Sequence, residues 1–395
     1  MFSSRVQADL APNRLAHALE RRRAEGRPYL DLTESNPTRA GFDYPADLLA
    51  PLGDRRGLTY SPQPFGMREA RRAVADDYAR RGLTVGAEHI VLTVSSSDAY
   101  SLLFRVLCDP GDQVLAPRPS YPLFEHLGRL DAVTIIPYDL EYHGSVWSID
   151  VGSVERALSD RTRALLVVSP NNPTGSYVKA HELDRLAAIC AARDLALIAD
   201  EVFADYELVP GASRSSGRVL PRQDVLTFSL GGLSKSIGLP QVKLGWTAIG
   251  GPATAVEHAL ARLELACDTY LSVSTPVQLA APELLDRGAS LRRQIQARVT
   301  ANYTYLAAAG AAIPTCEVLN AEGGWYAIVR VPSLCPEEEL VLNLLADADV
   351  LTHPGYFFDF AYESHLVVSL LVSETLFREG VSHMFRYLQS SGGQA

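Results

Sequence analysis

The sequence predicts an α/β protein: a large, mostly parallel sheet covered by helices, joined to a smaller α+β domain. Three observations predict it. From about residue 65, short and continuously apolar runs alternate with helical stretches; strands apolar on both sides belong to sheets covered on both faces. Polar or glycine-rich turns follow several of these runs, at the strand ends where such folds place ligands. From about residue 276 the pattern changes to long helices, then strand-like runs, then a closing helix. A chain of 395 residues is long enough for two or three packed domains.

The elements follow in order. Residues 1–45 are expected to form an arm and part of the small domain, 46–285 the large domain, and 286–395 the rest of the small one. FGMREARRAVADDYARRG predicts a helix ending at Gly82. HIVLTV (89–94) reads as a strand, and SSDAYSLLFRVLC as a helix that begins in its serines. DPGD turns the chain into QVLAP, a second strand. AVTIIP, ALLVVS (164–169), LALIAD (195–200), DVLTFSL (224–230) and GWTAIG continue the series, with helices such as HELDRLAAICAARD between most of them. The helical region from 276 is interrupted near Gly288, and GGWYAIVRV, HLVVSLL and a helix around EGVSHMFRYL complete the small domain.

Composition narrows the partners. With 36 basic and 46 acidic residues the net charge is −10, which disfavours a broad nucleic-acid surface. RRRAEGR (21–27), the one dense basic run, ends a charged helix and reads as a solvated face. No apolar stretch approaches the length that crosses a bilayer, and the N-terminus lacks the continuous apolar core of a secretory signal. The five cysteines are scattered without paired spacing, as expected of reduced residues in a cytoplasmic protein.

The strand ends carry the chemistry. SLGGLSKSIGLPQVKLGW (229–246) holds Lys235 and Lys243 in a corner of small residues, directly after an apolar run. Ser95–Ser97 follow HIVLTV; they cap the next helix or, with its free N–H groups, hold an anion. Tyr121 in RPSYP either packs or lies flat over a planar ligand. SPNNPTG (169–175) makes a rigid turn whose amides can hydrogen-bond a phenolate. Asp200 ends LALIAD and either caps the next segment or pairs with a cationic ligand. Together these features suit a flat cofactor with a phosphate, a phenolate and a protonated ring nitrogen, and pyridoxal phosphate has all three. Its carbonyl needs a lysine amine freed of its proton, a state favoured by partial burial and by nearby positive charge, which Lys243 can supply.

In that order, LTYSPQPFG, the serine turn, RPSYP, SPNNPTG, IADEVFADY and SKSIGLPQVKLGW resemble the class I/II aminotransferases of fold type I, the aspartate aminotransferase-like enzymes. The likeness covers nearly the whole chain. It implies Lys235 as the lysine bound to the cofactor, Asp200 as the partner of the pyridine nitrogen, and Asn172 as the amide on the phenolate. Tyr121 matches the stacking aromatic, Ser96, Ser97 and Lys243 the phosphate contacts, and Tyr60 a tyrosine reaching the phosphate of a neighbouring subunit. YLSVSTPVQ (270–278) matches a second segment that crosses between subunits. Lys235, Asp200 and Tyr121 are thus the expected catalytic residues.

The departures are specific. Phe203 stands where the family commonly has a tyrosine that donates to the phenolate. Lys243 replaces an arginine, keeping the charge without the planar fork. Gly232 replaces a serine or threonine. Val367, in HLVVSL, replaces the arginine that clasps the substrate carboxylate; another cation is expected instead, Arg330 being a candidate that lies either in the site or on the outer face of its strand, with backbone N–H groups around Asn36 and Tyr356, or binding mainly through the substrate side chain, as the alternatives. Trp325, Tyr356, Phe357 and Phe358 make a late aromatic-rich region, at least two of them expected in the core.

The resemblance implies transfer of an amino group between an amino acid and a 2-oxo acid by a homodimer with shared sites. Other pyridoxal-phosphate chemistry (elimination, cyclisation, oxidation or decarboxylation) is the alternative on this fold, and a noncatalytic cofactor-binding protein is another. A transcriptional sensor needs a DNA-binding domain, for which the short N-terminal region leaves little room.

Overall fold

The computed structural model describes residues 2–6 and 11–391, so the expected arm lies partly outside the described residues. Fourteen strands are described. They are β1 (Leu30–Asp31), β2 (Ile90–Thr93), β3 (Gln113–Arg118), β4 (Thr134–His143), β5 (Val146–Ile149), β6 (Thr162–Val168) and β7 (Ala196–Asp200), followed by β8 (Thr227–Gly232), β9 (Gly245–Gly250), β10 (Glu317–Val318), β11 (Tyr326–Arg330), β12 (Val350–Leu351), β13 (His353–Pro354) and β14 (His365–Ser369).

Eight strands form the large sheet, in the order β2-β9-β8-β7-β6-β3-β4-β5. The five from β8 to β4 run parallel. β9 runs against both β8 and β2, and β5 runs back along β4. The alternation of side chains explains why the central runs are apolar throughout. Leu166 of β6 and Ile198 of β7 enter one core with Tyr100 and Phe104 of the helix Ser96–Leu107. Their neighbours Leu165 and Leu197 enter another with Leu183 and Leu186 of the helix Ala180–Arg193. Each such leucine or isoleucine contributes about 1.5–3 kcal/mol by leaving water.

The antiparallel β9 was not separable from its parallel neighbours in the sequence, and it positions the site. β8 ends at Gly232 and β9 begins at Gly245 beside it, so the segment between them leaves and re-enters the sheet at one edge. That edge is the carboxyl end of the parallel strands, so Lys235 is held where β6 and β7 also end.

The second unit is the antiparallel sheet β10-β11-β14-β13, with the helices Ala289–Ala311, Glu337–Asp347 and Glu374–Ser391. The start of the chain joins it, because β1 pairs in parallel with β12 through Leu30–Val350 and Asp31–Leu351. Register puts Tyr326 opposite Ser369, Ile328 opposite Val367, and Val367 opposite His353. Directly paired residues share a face, so these five line one side of this sheet. Backbone bonds join it to the large sheet's loops, among them Ser120 N–H to the Phe358 carbonyl at 2.9 Å and Gly323 N–H to the Gly175 carbonyl at 2.9 Å. Among the described residues no helix is long and apolar enough to cross a membrane.

Candidate active site

Lys235 sits in a single helical turn, Leu233–Ser236, directly after β8. Gly232 lets this turn close: a Cβ there would stand 3.2 Å from the Gly245 Cα. Tyr206, fully buried, donates its hydroxyl to the Lys235 carbonyl at 2.6 Å and the Ser236 carbonyl at 3.0 Å, which fixes the backbone. The Lys235 Nζ lies 5.0 Å from the Trp325 ring and 5.6 Å from the Phe203 ring. Burial among these rings lowers its pKa from 10.5 to about 8, against the opposing pull of Asp200. Burial is therefore the cause. Lys243, expected to share it, is exposed just before β9 and is not among the groups acting on Lys235.

Asp200 closes β7 and is buried. Its carboxylate accepts from the Tyr100 hydroxyl at 2.7 Å and the Val202 N–H at 3.1 Å. Desolvation pushes its pKa up, and these two donors pull it back. A carboxylate in this position gains from a cation placed against it. Tyr100 lies on the helix that Ser96 and Ser97 begin, so one helix bears on both Asp200 and the serine turn. The Ser95 hydroxyl caps that helix, accepting from the Asp98 N–H at 3.1 Å. Gly245 packs on the Ser95 backbone, where a Cβ would come to 2.9 Å, which holds the start of β9 against the same turn.

Asn171 and Asn172 divide the work of the SPNNPTG turn. The Asn171 side chain accepts from the Thr174 hydroxyl at 2.9 Å and N–H at 3.2 Å, holding the turn. Gly175 takes φ +69, and a Cβ there would meet the Gly323 carbonyl at 2.6 Å. Asn172 is left with a buried Oδ1 that has no hydrogen-bond partner. The Tyr121 ring meets Phe124 edge-on at 5.9 Å, and Phe124 meets Tyr100 at 5.4 Å, so the aromatic borders the Asp200 neighbourhood.

A helix start with two serines, a buried carboxylate, an unpartnered amide, a half-buried aromatic and a partly neutral lysine are the donor set that pyridoxal phosphate requires. Asn172 is a buried amide whose Oδ1 has no partner, and its NH2 is the end that can donate to a phenolate.

Tyr60 stands apart: its side chain is 73% exposed, and with Leu271 and Ser272 it lines a surface groove. Phe203 is buried edge-on against Trp325 at 5.3 Å and offers no hydrogen bond. Of the late aromatics, Trp325 and Phe358 are buried and Tyr356 is exposed. Arg330 departs from its expected part. Its guanidinium is half exposed and paired with Glu317, its cross-strand neighbour. Sequence reasoning assigned no role to Tyr100 or Tyr206. For Tyr100 the only signal is a hydroxyl set in an apolar helix face; Tyr206 closes IADEVFADY without a spacing that marks it.

A family model described as aminotransferase class I and II matches residues 28–383. The chain is 29% identical to the aspartate/prephenate aminotransferase of Thermus thermophilus, over 98% of each chain. It is 29% identical to the alanine aminotransferase of Mycobacterium tuberculosis, covering 87% of this chain and 81% of that one. The solved structure of an alanine aminotransferase from Pyrococcus furiosus superposes with a TM-score of 0.88 at 22% identity, over 99% of this chain and all of that one, a likeness of fold.

Proposed function

The chain belongs to the class I and II aminotransferase family, and from that premise we propose a role for each part of the site. The enzyme depends on pyridoxal phosphate and passes an amino group between an amino acid and a 2-oxo acid. When bound, the cofactor supplies an aldehyde for the amino group and a ring that draws electrons from the substrate carbon. Lys235 would hold the cofactor, and its Nζ as a free amine would take the proton from the substrate α-carbon. That task needs a neutral amine, which the buried setting favours. Asp200 faces the ring nitrogen and keeps it protonated, while Tyr100 orients the carboxylate. Asn172 donates to the phenolate and carries that duty without help from Phe203. Tyr121 is the flat wall. Ser96, Ser97 and the adjoining helix N–H groups take the phosphate, with Lys243 supplying charge.

Two copies share each site in this reading. The exposed Tyr60 and the groove it forms with the 271–278 segment are the surface for the second copy, whose phosphate Tyr60 reaches. Free cysteines fit a cytoplasmic setting. The substrates named for the relatives, aspartate, prephenate and alanine, are the first to try.

One arrangement carries this reading: Lys235, partly buried just after β8 with its Nζ against the Trp325 and Phe203 rings, has its pKa drawn down to about 8 and feels the charge of Asp200 at the end of β7. Borohydride reduction of the loaded protein should place the pyridoxyl group on Lys235, and amino donors should convert the cofactor to pyridoxamine phosphate with release of the matching oxo acid. An adduct on Lys243 overturns the site, and a full donor panel without oxo acid overturns the transfer.

A further inference from the structure

A helix of one turn leaves its last carbonyls without partners inside the helix. In the turn Leu233–Ser236, which carries Lys235, those carbonyls are held from outside. The Tyr206 hydroxyl meets the ones of Lys235 and Ser236. The Ser236 carbonyl accepts a second bond, from the Arg292 Nε at 3.1 Å. Arg292 lies in the first turn of the helix Ala289–Ala311, with its side chain only 11% exposed.

We infer that Arg292 is a positioning residue for the reaction: by holding the Ser236 carbonyl it fixes where the Lys235 amine stands. This rests on Lys235 as the reacting amine. The guanidinium is itself held. Its terminal nitrogen donates to Asp77 at 3.1 Å, and Asp205 lies 3.5 Å from Nε. Both carboxylates are buried, and Arg80, at the end of the helix Arg68–Arg80, pairs with each of them, with Asp77 at 3.0 Å. Two carboxylates and a carbonyl need donors on more than one edge, which a guanidinium has and an ammonium lacks.

The same helix reaches the facing wall. About 15 Å further along it, Asn302 is buried and donates to the Leu370 carbonyl at 2.9 Å and the Val372 carbonyl at 2.7 Å. The Leu370 N–H in turn donates to the Trp325 carbonyl at 2.7 Å. Trp325 supplies the ring 5.0 Å from the Lys235 Nζ. One helix thus bears on the backbone of the amine and on the backbone of the ring it packs against, and Arg292 is the contact on the amine's side. Asp200 is the one charged group that acts on the amine, so Arg292 works through the backbone and not through its charge. Without it the turn is free to lift Nζ off the rings toward water.

Trace acetylation of the folded, cofactor-free protein across pH, read by peptide mass, tests this. Lys235 should titrate near 8 in the native protein. Arg292→Met should raise that midpoint by about one unit or more, as the amine regains water. Arg292→Lys keeps a cation for both aspartates, and with it the fold, but loses the second edge; it should raise the midpoint by about half a unit, and it decides the matter whether or not Arg292→Met folds. Arg80→Met is the control. It breaks the pairs with the same two aspartates without touching the Lys235 turn, so it should lower the urea midpoint of unfolding and leave the Lys235 profile where it was. In the loaded enzyme Arg292→Lys should lower kcat about tenfold with the donor KM within about twofold. An unmoved Lys235 midpoint in Arg292→Lys overturns the inference, as does an equal shift in Arg80→Met or a loss confined to KM. A borohydride adduct anywhere but Lys235 overturns the placement on which it rests, and is read separately.

Discussion

The altered acidity of Lys235 has a measurable size. Its pKa is lowered from 10.5 to about 8, so about one molecule in ten carries a neutral amine at pH 7. An ordinary lysine would be neutral about three times in ten thousand, and the ratio is about 300. The chain has three lysines, Lys179, Lys235 and Lys243, so trace acetylation of the cofactor-free protein from pH 6 to 11 resolves each by peptide mass. Lys243, exposed, is the internal reference. Lys235 should gain reactivity through a midpoint near 8. In Asp200→Asn the Lys235 midpoint should fall further, since the Asp200 charge raises it. Stability follows with a fixed sign. Between about 8 and 10.5 the unfolded chain binds the extra proton, so this lysine disfavours folding by on the order of 3 kcal/mol below about 8. That penalty fades as pH rises from about 8 to 10.5 and is absent above it. Coincident profiles for Lys235 and Lys243 would refute the claim that burial tunes the amine.

Three further outcomes are expected. Arg330→Gln should leave the half-saturating donor concentration within about twofold, because an exposed pair with Glu317 is worth about 0–1 kcal/mol; a tenfold rise would place Arg330 in the site. Gly175→Ala should cost about 2 kcal/mol or more in urea unfolding, from a positive φ and a Cβ 2.6 Å from the Gly323 carbonyl; a loss under about 0.5 kcal/mol contradicts this. Mixed dimers of a Lys235→Ala chain and a Tyr60→Phe chain, each impaired alone, should recover activity through one intact composite site, and verified mixed dimers without recovery would argue against sharing.

The parallel strands were legible because burial on both faces forces uninterrupted apolar runs, and LALIAD and ALLVVS show it plainly. The site motifs were legible because ligands collect at the ends of such strands. What escaped depended on contacts distant in sequence. Tyr100 meets Asp200 across 100 residues, and no local pattern distinguishes a helix tyrosine aimed at a carboxylate from one that only packs. The direction of β9 escaped because a strand covered on both faces has the same composition either way. Lys243 was expected to tune Lys235 by charge at short spacing, but the loop turns it outward. Arg330 was left open between site and surface, and the facing Glu317 decides it, a partner visible only once β10 pairs with β11.

The pairing of β1 with β12 also constrains how the chain is made. Leu30 waits for Val350, about 320 residues later. At 5–20 residues per second on the ribosome that interval is roughly 15–65 seconds. The eight-stranded sheet, complete at Gly250, can assemble well before the end of synthesis. The face bearing Val367 and His353 cannot close until the last tenth or so of the chain has emerged. A newborn chain therefore holds its lysine corner first and its second wall last, and until then β1 lacks its partner strand.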